Sequence, residues 1–271
     1  MAFSHIEDLE LADVPLRAWQ PANLPPGLEL QTLGNDPETG ALTGVLSVPD
    51  GWSAVQVKST SAFELYQLDG AIEIDGAILR PGHYCFRAGG DIMGTLVSHG
   101  AARAIVRFHS IPEFLSAPGE KSLIAETSIP HLNTWTEPWI DPLAASDPSE
   151  DYRAGVMVKM LRCDPKTGAT THLAGLMPGW FMPGQEVHPV FEENYCLSGD
   201  VHIADVAGAP GYTMLPGTYL ARPPGIAHGP IVSKNGNVNL IFAHGPLGID
   251  YVTHPKADHL ISRHLEGFPW V

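Results

Sequence analysis

The sequence predicts an all-β protein built as two tandem double-stranded β-helix barrels of the jelly-roll kind. Three observations carry that expectation. Gly and Pro number 28 and 25 in 271 residues, about a fifth of the chain, and Pro breaks helix interiors. Only 17% of residues are charged, against roughly a quarter in an ordinary soluble domain, too few to clothe the solvated faces of long helices. The third observation is that the chain repeats itself.

The stretch Gly27–Trp52 reads GLELQTLGNDPETGALTGVLSVPDGW, and Gly155–Trp180 reads GVMVKMLRCDPKTGATTHLAGLMPGW, in register at an offset of 128 residues. ELYQLDG ending at Gly70 then parallels ENYCLSG ending at Gly199, at offset 129. Pro81-Gly82-x-Tyr84-x-x-Arg87 parallels Pro216-Gly217-x-Tyr219-x-x-Arg222, at offset 135. Three ordered matches with small drifts mark a tandem duplication.

Each copy reads as strands. Asp-Pro-x-Thr-Gly is turn chemistry, with Pro setting φ and Gly free to take positive φ. The flanking runs from Leu28 and Val156 alternate with period two, as half-buried strands do. Runs near Glu64, Ala71, Val201 and Val238 continue the pattern. The expected organisation is a first barrel over residues 1–115, a linker over 116–150 where Pro, Ser, Asp and Trp cluster, a second barrel over 151–248, and a tail over 249–271. One short helix is expected in that tail, between Pro255 and Glu266, begun by Pro and stopped by Gly267.

Charge and cysteine usage narrow the setting. Thirty acids against fifteen bases give a net charge of −15, and no Lys/Arg run suits phosphates, so neither nucleic acid nor an anionic membrane is an expected partner. Cys85, Cys163 and Cys196 are odd in number and form no Cys-x-x-Cys pair, which points away from disulfide frameworks and thiolate zinc sites. No run approaches the ~20 apolar residues of a membrane span, and the N-terminus lacks the pattern of a signal peptide. A cytoplasmic protein acting on a small molecule is the expectation.

The chemistry lies in the second copy. FMPGQEVHPVFEENYCLSG places Glu186 and His188 two apart, on one side of a strand, with Glu192 or Glu193 opening the next strand. Pro223-Pro-Gly225-Ile-Ala-His228 puts another imidazole behind a tight turn. Two imidazoles with one or two carboxylates suit a divalent first-row metal that keeps open positions.

These residues resemble the cupin family. His188-x3-Glu192-x6-Gly199 fits the latter part of its first motif, and Gly217-x5-Pro223-x-Gly225-x2-His228 fits its second up to the His, whose closing Asn is Val232 here. With the duplication, the resemblance extends over nearly the whole chain as a bicupin. It implies a metal held by motif His and Glu residues, most often iron, manganese, zinc or nickel, with Fe(II) favoured here, and a homodimer. The family's first motif His is Glu186 in this chain. Three ligand sets are therefore open: Glu186, His188, Glu192 and His228; the last three alone, with Glu186 as a base or outside; or a degenerate site. His172 is an alternative to Glu186. Family spacing selects Glu192, whereas the repeat sets Glu193 opposite Glu64.

The first copy lacks the set. His188 corresponds to Ser59 or Thr60, Glu192 to Phe63 and His228 to Met93, so a structural first barrel is expected. Trp180, Phe181, Tyr195, Tyr219 and Arg222 lie near the motifs as pocket candidates, although Arg222 has a twin in Arg87. The resemblance to small dioxygenase cupins implies an oxygenase acting on a small organic substrate, aromatic or diketone-like. A redox-neutral lyase, isomerase or hydrolase, and a non-catalytic metal-bearing sensor, are the alternatives.

Overall fold

A computed structural model describes residues 3–142 and 155–252. Their regular structure is all strand apart from one 3-10 turn at Leu11–Asp13, and no described helix is long and apolar enough to cross a membrane. The helix expected at 255–266 lies outside the described residues. The chain divides into two compact units, one of Met1–Ser4 and Ala12–Glu137, the other of His5–Leu11 and Pro138–Val271.

In the first unit, one sheet runs in the order Ile129–Asn133, His83–Arg87, Phe63–Asp69, Ala102–Phe108, Leu42–Val48, Glu29–Asn35 and Arg17–Ala18. The second unit has a sheet in the order Ile6–Glu10, Thr218–Arg222, Glu192–Gly199, Asn237–Ala243, Thr170–Leu176 and Val156–Cys163. The first six positions of the two sheets correspond one to one. A smaller sheet accompanies each, with Ser53–Ser59 paired to Ile92–Ser98 in the first unit and Phe181–Met182 paired to Ile231–Val232 in the second.

The duplicated turn is built alike in both units. The Asp36 carboxylate accepts from the Glu38 amide at 2.9 Å while its carbonyl accepts from the Gly40 amide at 2.8 Å. Asp164 repeats this with Lys166 at 2.9 Å and Gly168 at 2.8 Å. Gly40 and Gly168 sit at φ +70° and +69°, the left-handed region that a β-carbon disfavours.

Two expected boundaries need correction. Residues 116–150 are not linker throughout, because Ile129–Asn133 pairs with His83–Arg87 as the edge strand of the first unit. Residues 1–115 do not all belong to the first barrel either. Ile6–Glu10 pairs antiparallel with Thr218–Arg222 and closes the same edge in the second unit. Both strands serve an edge whose open amides and carbonyls would otherwise need partners. The partners lie far away in sequence, so no local pattern announces them.

The interiors differ. In the first unit Leu30, Leu46, Val57, Phe63, Leu65, Met93 and Val106 belong to one continuous buried apolar cluster. In the second unit a buried apolar cluster among the described residues is centred on Met182, Ile203, Met214 and Leu220, and a cavity of about 330 Å³ occupies the barrel interior.

Candidate metal centre

The residues that converge at this cavity are set by backbone pairing. Glu186 lies on the strand Gln185–Val187, and it exchanges two backbone hydrogen bonds with His228, 2.9 Å from its amide to the His228 carbonyl and 3.1 Å in return. Their side chains therefore stand together. His188 is two residues on, and its carbonyl accepts from the Gly225 amide at 2.9 Å, tying the two motifs to each other. Glu192 opens the strand Glu192–Gly199, opposite Arg222 on one side and Ala243 on the other.

The resulting cluster is tight. His228 Nε2 lies 3.2 Å from Glu186 Oε1, His188 Nε2 lies 3.8 Å from the same oxygen, and His188 Nε2 lies 3.5 Å from Glu192 Oε2. One donor atom each from Glu186, His188 and His228 falls within a span of 4.8 Å; Glu192 stands outside that group and meets it through His188. Both imidazoles are anchored from behind. His188 Nδ1 donates to the Gly248 carbonyl at 2.9 Å, and His228 Nδ1 donates to the Ile226 carbonyl at 3.0 Å. Because a carbonyl only accepts, Nδ1 of each ring carries a proton, which leaves Nε2 as the atom able to bind a proton or a metal beside the carboxylates. That is the outer support that metal-binding histidines ordinarily have. Glu192 Oε2 is buried and makes no hydrogen bond among the described residues, with His188 Nε2 at 3.5 Å as its charged neighbour. A buried anionic oxygen in that condition is costly unless a cation meets it, so the donor set fits a divalent ion.

The electrostatics agree. Burial pushes the Glu186 carboxyl up, but the hydrogen bond and charge of His228, then His188 and Arg222, outweigh it and hold it below its ordinary value. Burial pushes His188 down, yet Glu192 and then Glu186 outweigh it and raise it. The cluster attracts positive charge, whether proton or metal. His172 differs. Buried at the cavity wall, it is pushed down to about 4 by desolvation, which Glu192 only partly opposes, and it is neutral at physiological pH. Its Nδ1 lies 3.3 Å from Thr170 Oγ1, and it does not join the Glu186–His188–His228 group.

Glu192 and Glu193 face opposite ways. Glu192 lines the cavity, while the buried Glu193 accepts from Tyr219 Oη at 2.8 Å and pairs with His244 Nε2 at 2.7 Å. The first unit repeats this second arrangement at the matching positions. Glu64 accepts from Tyr84 Oη at 2.7 Å and pairs with His109 Nε2 at 2.8 Å. Glu193 therefore belongs to a duplicated scaffold.

The same alternation corrects three pocket candidates. Tyr195 and Tyr219 are buried on the side of their strands away from the cavity, and Phe181 gives way to Met182 as the inward residue. Trp180, His172 and Arg222 do line the cavity. Arg222 is held by Glu7, Nε to Oε1 at 2.7 Å and Nη2 to Oε2 at 2.9 Å, and by Tyr212 Oη at 3.0 Å. Glu7 is a site residue that sequence reasoning missed, since it stands 215 positions from its partner. Asn194 and Asn239, which also line the cavity, were missed too. Their matching positions in the first copy are Leu65 and Ala104, so a polar-for-apolar exchange between repeats was the available signal.

Comparison with known proteins follows the same lines. Residues 145–248 match the ChrR cupin-like domain family. Among solved structures, a provisionally assigned dioxygenase from Nostoc punctiforme aligns with a TM-score of 0.77 at 20% identity, covering 93% of this chain and 86% of that one. A tryptophan-to-phenylalanine variant of Bacillus subtilis oxalate decarboxylase aligns with a TM-score of 0.59 at 13% identity, covering 97% and 84%. No curated protein matches the chain by sequence. At these identities the structural likeness speaks for the fold.

Proposed function

We propose that this two-barrel protein of the cupin superfamily is a metal-dependent enzyme, an oxygenase acting on a small, largely apolar organic molecule in its second barrel. The observation that carries the reading is the convergence of His188, His228, Glu186 and Glu192 on the wall of a cavity of about 330 Å³. That volume lies at the lower end of the range for small-molecule sites.

His188, His228 and Glu192 would hold the ion, with Glu186 as the fourth ligand. A redox-active divalent metal such as Fe(II) supplies Lewis acidity and access to dioxygen chemistry there. Glu186, kept ionised by its neighbours, also has an oxygen to accept the proton that a substrate enol or phenol gives up on binding. Arg222, tied to Glu7, sets a fixed positive charge beside the carboxylates. Met182, Ile203 and Met214 make part of the wall apolar, and a low-dielectric wall strengthens each of these interactions.

Oxygen uptake by the Fe(II)-loaded protein across a panel of aromatic and β-diketone compounds tests the reading. Substrate-dependent uptake that disappears in His228→Met is the expected result. Turnover without uptake would favour the redox-neutral Lewis-acid alternative, and neither uptake nor turnover would favour a binding module.

A further inference from the structure

Beyond the candidate metal centre, the cavity has a second polar feature that the chemistry above does not use. Asn194 and Asn239 stand on the neighbouring strands Glu192–Gly199 and Asn237–Ala243, and both face the cavity. Asn194 lies opposite Ile241 and Asn239 opposite Cys196, which makes the two amides diagonal neighbours on one inner face. Asn194 is two residues beyond Glu192, about 7 Å further along its strand. The two side chains are 8% and 6% exposed, and the Oδ1 of each has no hydrogen-bond partner among the described residues. Burying one such group without a partner costs about 1–3 kcal/mol.

The fold does not require amides there. The same strand positions in the first unit are Leu65 and Ala104, both packed in its apolar core. An apolar wall surrounds the pair in the second unit, including Val158, Ala174 and Ile203. Two polar groups set into an apolar wall, without service to the scaffold, fit a ligand.

We propose that Asn194 and Asn239 form a hydrogen-bonding subsite that selects a neutral hydroxyl at the far end of a substrate whose near end is chelated at the metal centre. The inference rests on the metal-centre reading and names the substrate class for it. A hydroxyl both donates and accepts, so it satisfies an amide in either orientation of its terminal group. A carboxylate at that end meets no free counter-charge, because Glu186 and Glu192 are the nearby anions and Arg222 is already paired with Glu7. An alkyl end leaves both amides unsatisfied.

A matched pair of chelators tests this on the full-length metal-loaded protein. Kojic acid and allomaltol share the same hydroxypyranone chelating edge and differ by one hydroxyl at the opposite end of the ring. Calorimetry on the wild type is expected to show kojic acid binding about tenfold more tightly, the worth of one well-formed buried hydrogen bond. In Asn194→Leu/Asn239→Ala, which copies the first barrel, the preference should fall to about unity, with metal content unchanged. Equal affinities in the wild type, with both compounds bound, would overturn the subsite and leave the metal centre standing. A preference that persists in the double variant would overturn it as well. Absence of bound metal, with neither compound binding, would overturn the metal centre and the subsite together, and metal analysis of the same samples distinguishes that outcome. The wild-type ratio decides the matter even if the variant folds poorly.

Discussion

The two barrels share one strand order and one set of turns, yet one is packed and the other is hollow. Where the second barrel has Glu186, Glu192 and His228, the first has Val57, Phe63 and Met93. The pairing proves the correspondence: Met93 lies opposite Val57 as His228 lies opposite Glu186, and Phe63 lies opposite Arg87 as Glu192 lies opposite Arg222. His172, opposite Ile241, answers to Gly44, opposite Val106. A scaffold that folds with apolar residues in those places has no structural need for carboxylates and imidazoles there. The difference separates what builds the barrel from what works in it. The Glu–Tyr–His networks, present in both, fall on the building side.

The largest effect on stability is expected where the first barrel is filled. Phe63→Ala should cost about 3–5 kcal/mol, as large aromatic truncations in packed cores do, measured by denaturant unfolding, while metal content stays unchanged. A small loss there would mean that the first barrel is as open as the second. Smaller and matched effects are expected from the duplicated network. Glu64→Gln and Glu193→Gln should each cost about 1–3 kcal/mol by weakening buried charge-assisted hydrogen bonds, with metal content again unchanged. Metal loss in Glu193→Gln alone would place that residue in the working set and break the distinction.

The smallest effect separates the two arginines. Arg87 takes Asp75 as its partner at 2.6 Å within the first unit, whereas Arg222 relies on Glu7 of the N-terminal strand. Burial pushes Glu7 up, but the hydrogen bond and charge of Arg222 outweigh it and hold it below its ordinary value of 4.5. A carboxylate with a depressed folded pKa stabilises the fold above its unfolded value and loses that contribution as pH falls through the folded one. Glu7→Gln should therefore cost about 1 kcal/mol at neutral pH, after allowance for solvent screening. The gap from wild type should begin to narrow below about pH 4.5 and close only below the lower folded value. A gap independent of pH would assign Glu7 a packing role only.

Much of this was legible in the sequence because duplication supplies an internal control. Repeat register located the strands, the turns and the copy that holds the candidate metal centre. It also contained the answer to the Glu192/Glu193 ambiguity: a residue with an identical counterpart, Glu193 against Glu64, belongs to the scaffold, and its neighbour faces the other side. Tyr195, Tyr219 and Phe181 were misplaced for a related reason. Closeness to a motif along the chain says nothing about facing, and strand alternation turns every second residue away. Asn194 and Asn239 could have been found as polar residues standing against Leu65 and Ala104. The edge strands Ile6–Glu10 and Ile129–Asn133 could not, since their pairing depends on segments remote in sequence and each is short and polar on its outer side. Glu7 was hidden with the first of them.

Metal stoichiometry tests the central claim most directly. Elemental analysis of the purified full-length protein, reconstituted anaerobically with Fe(II) and freed of excess ion, should give one metal per chain. The same treatment of His228→Met, which installs the first barrel's own residue, should give none while the far-ultraviolet spectrum of a β protein is retained. Two metals per chain, or one retained in His228→Met, would contradict the account.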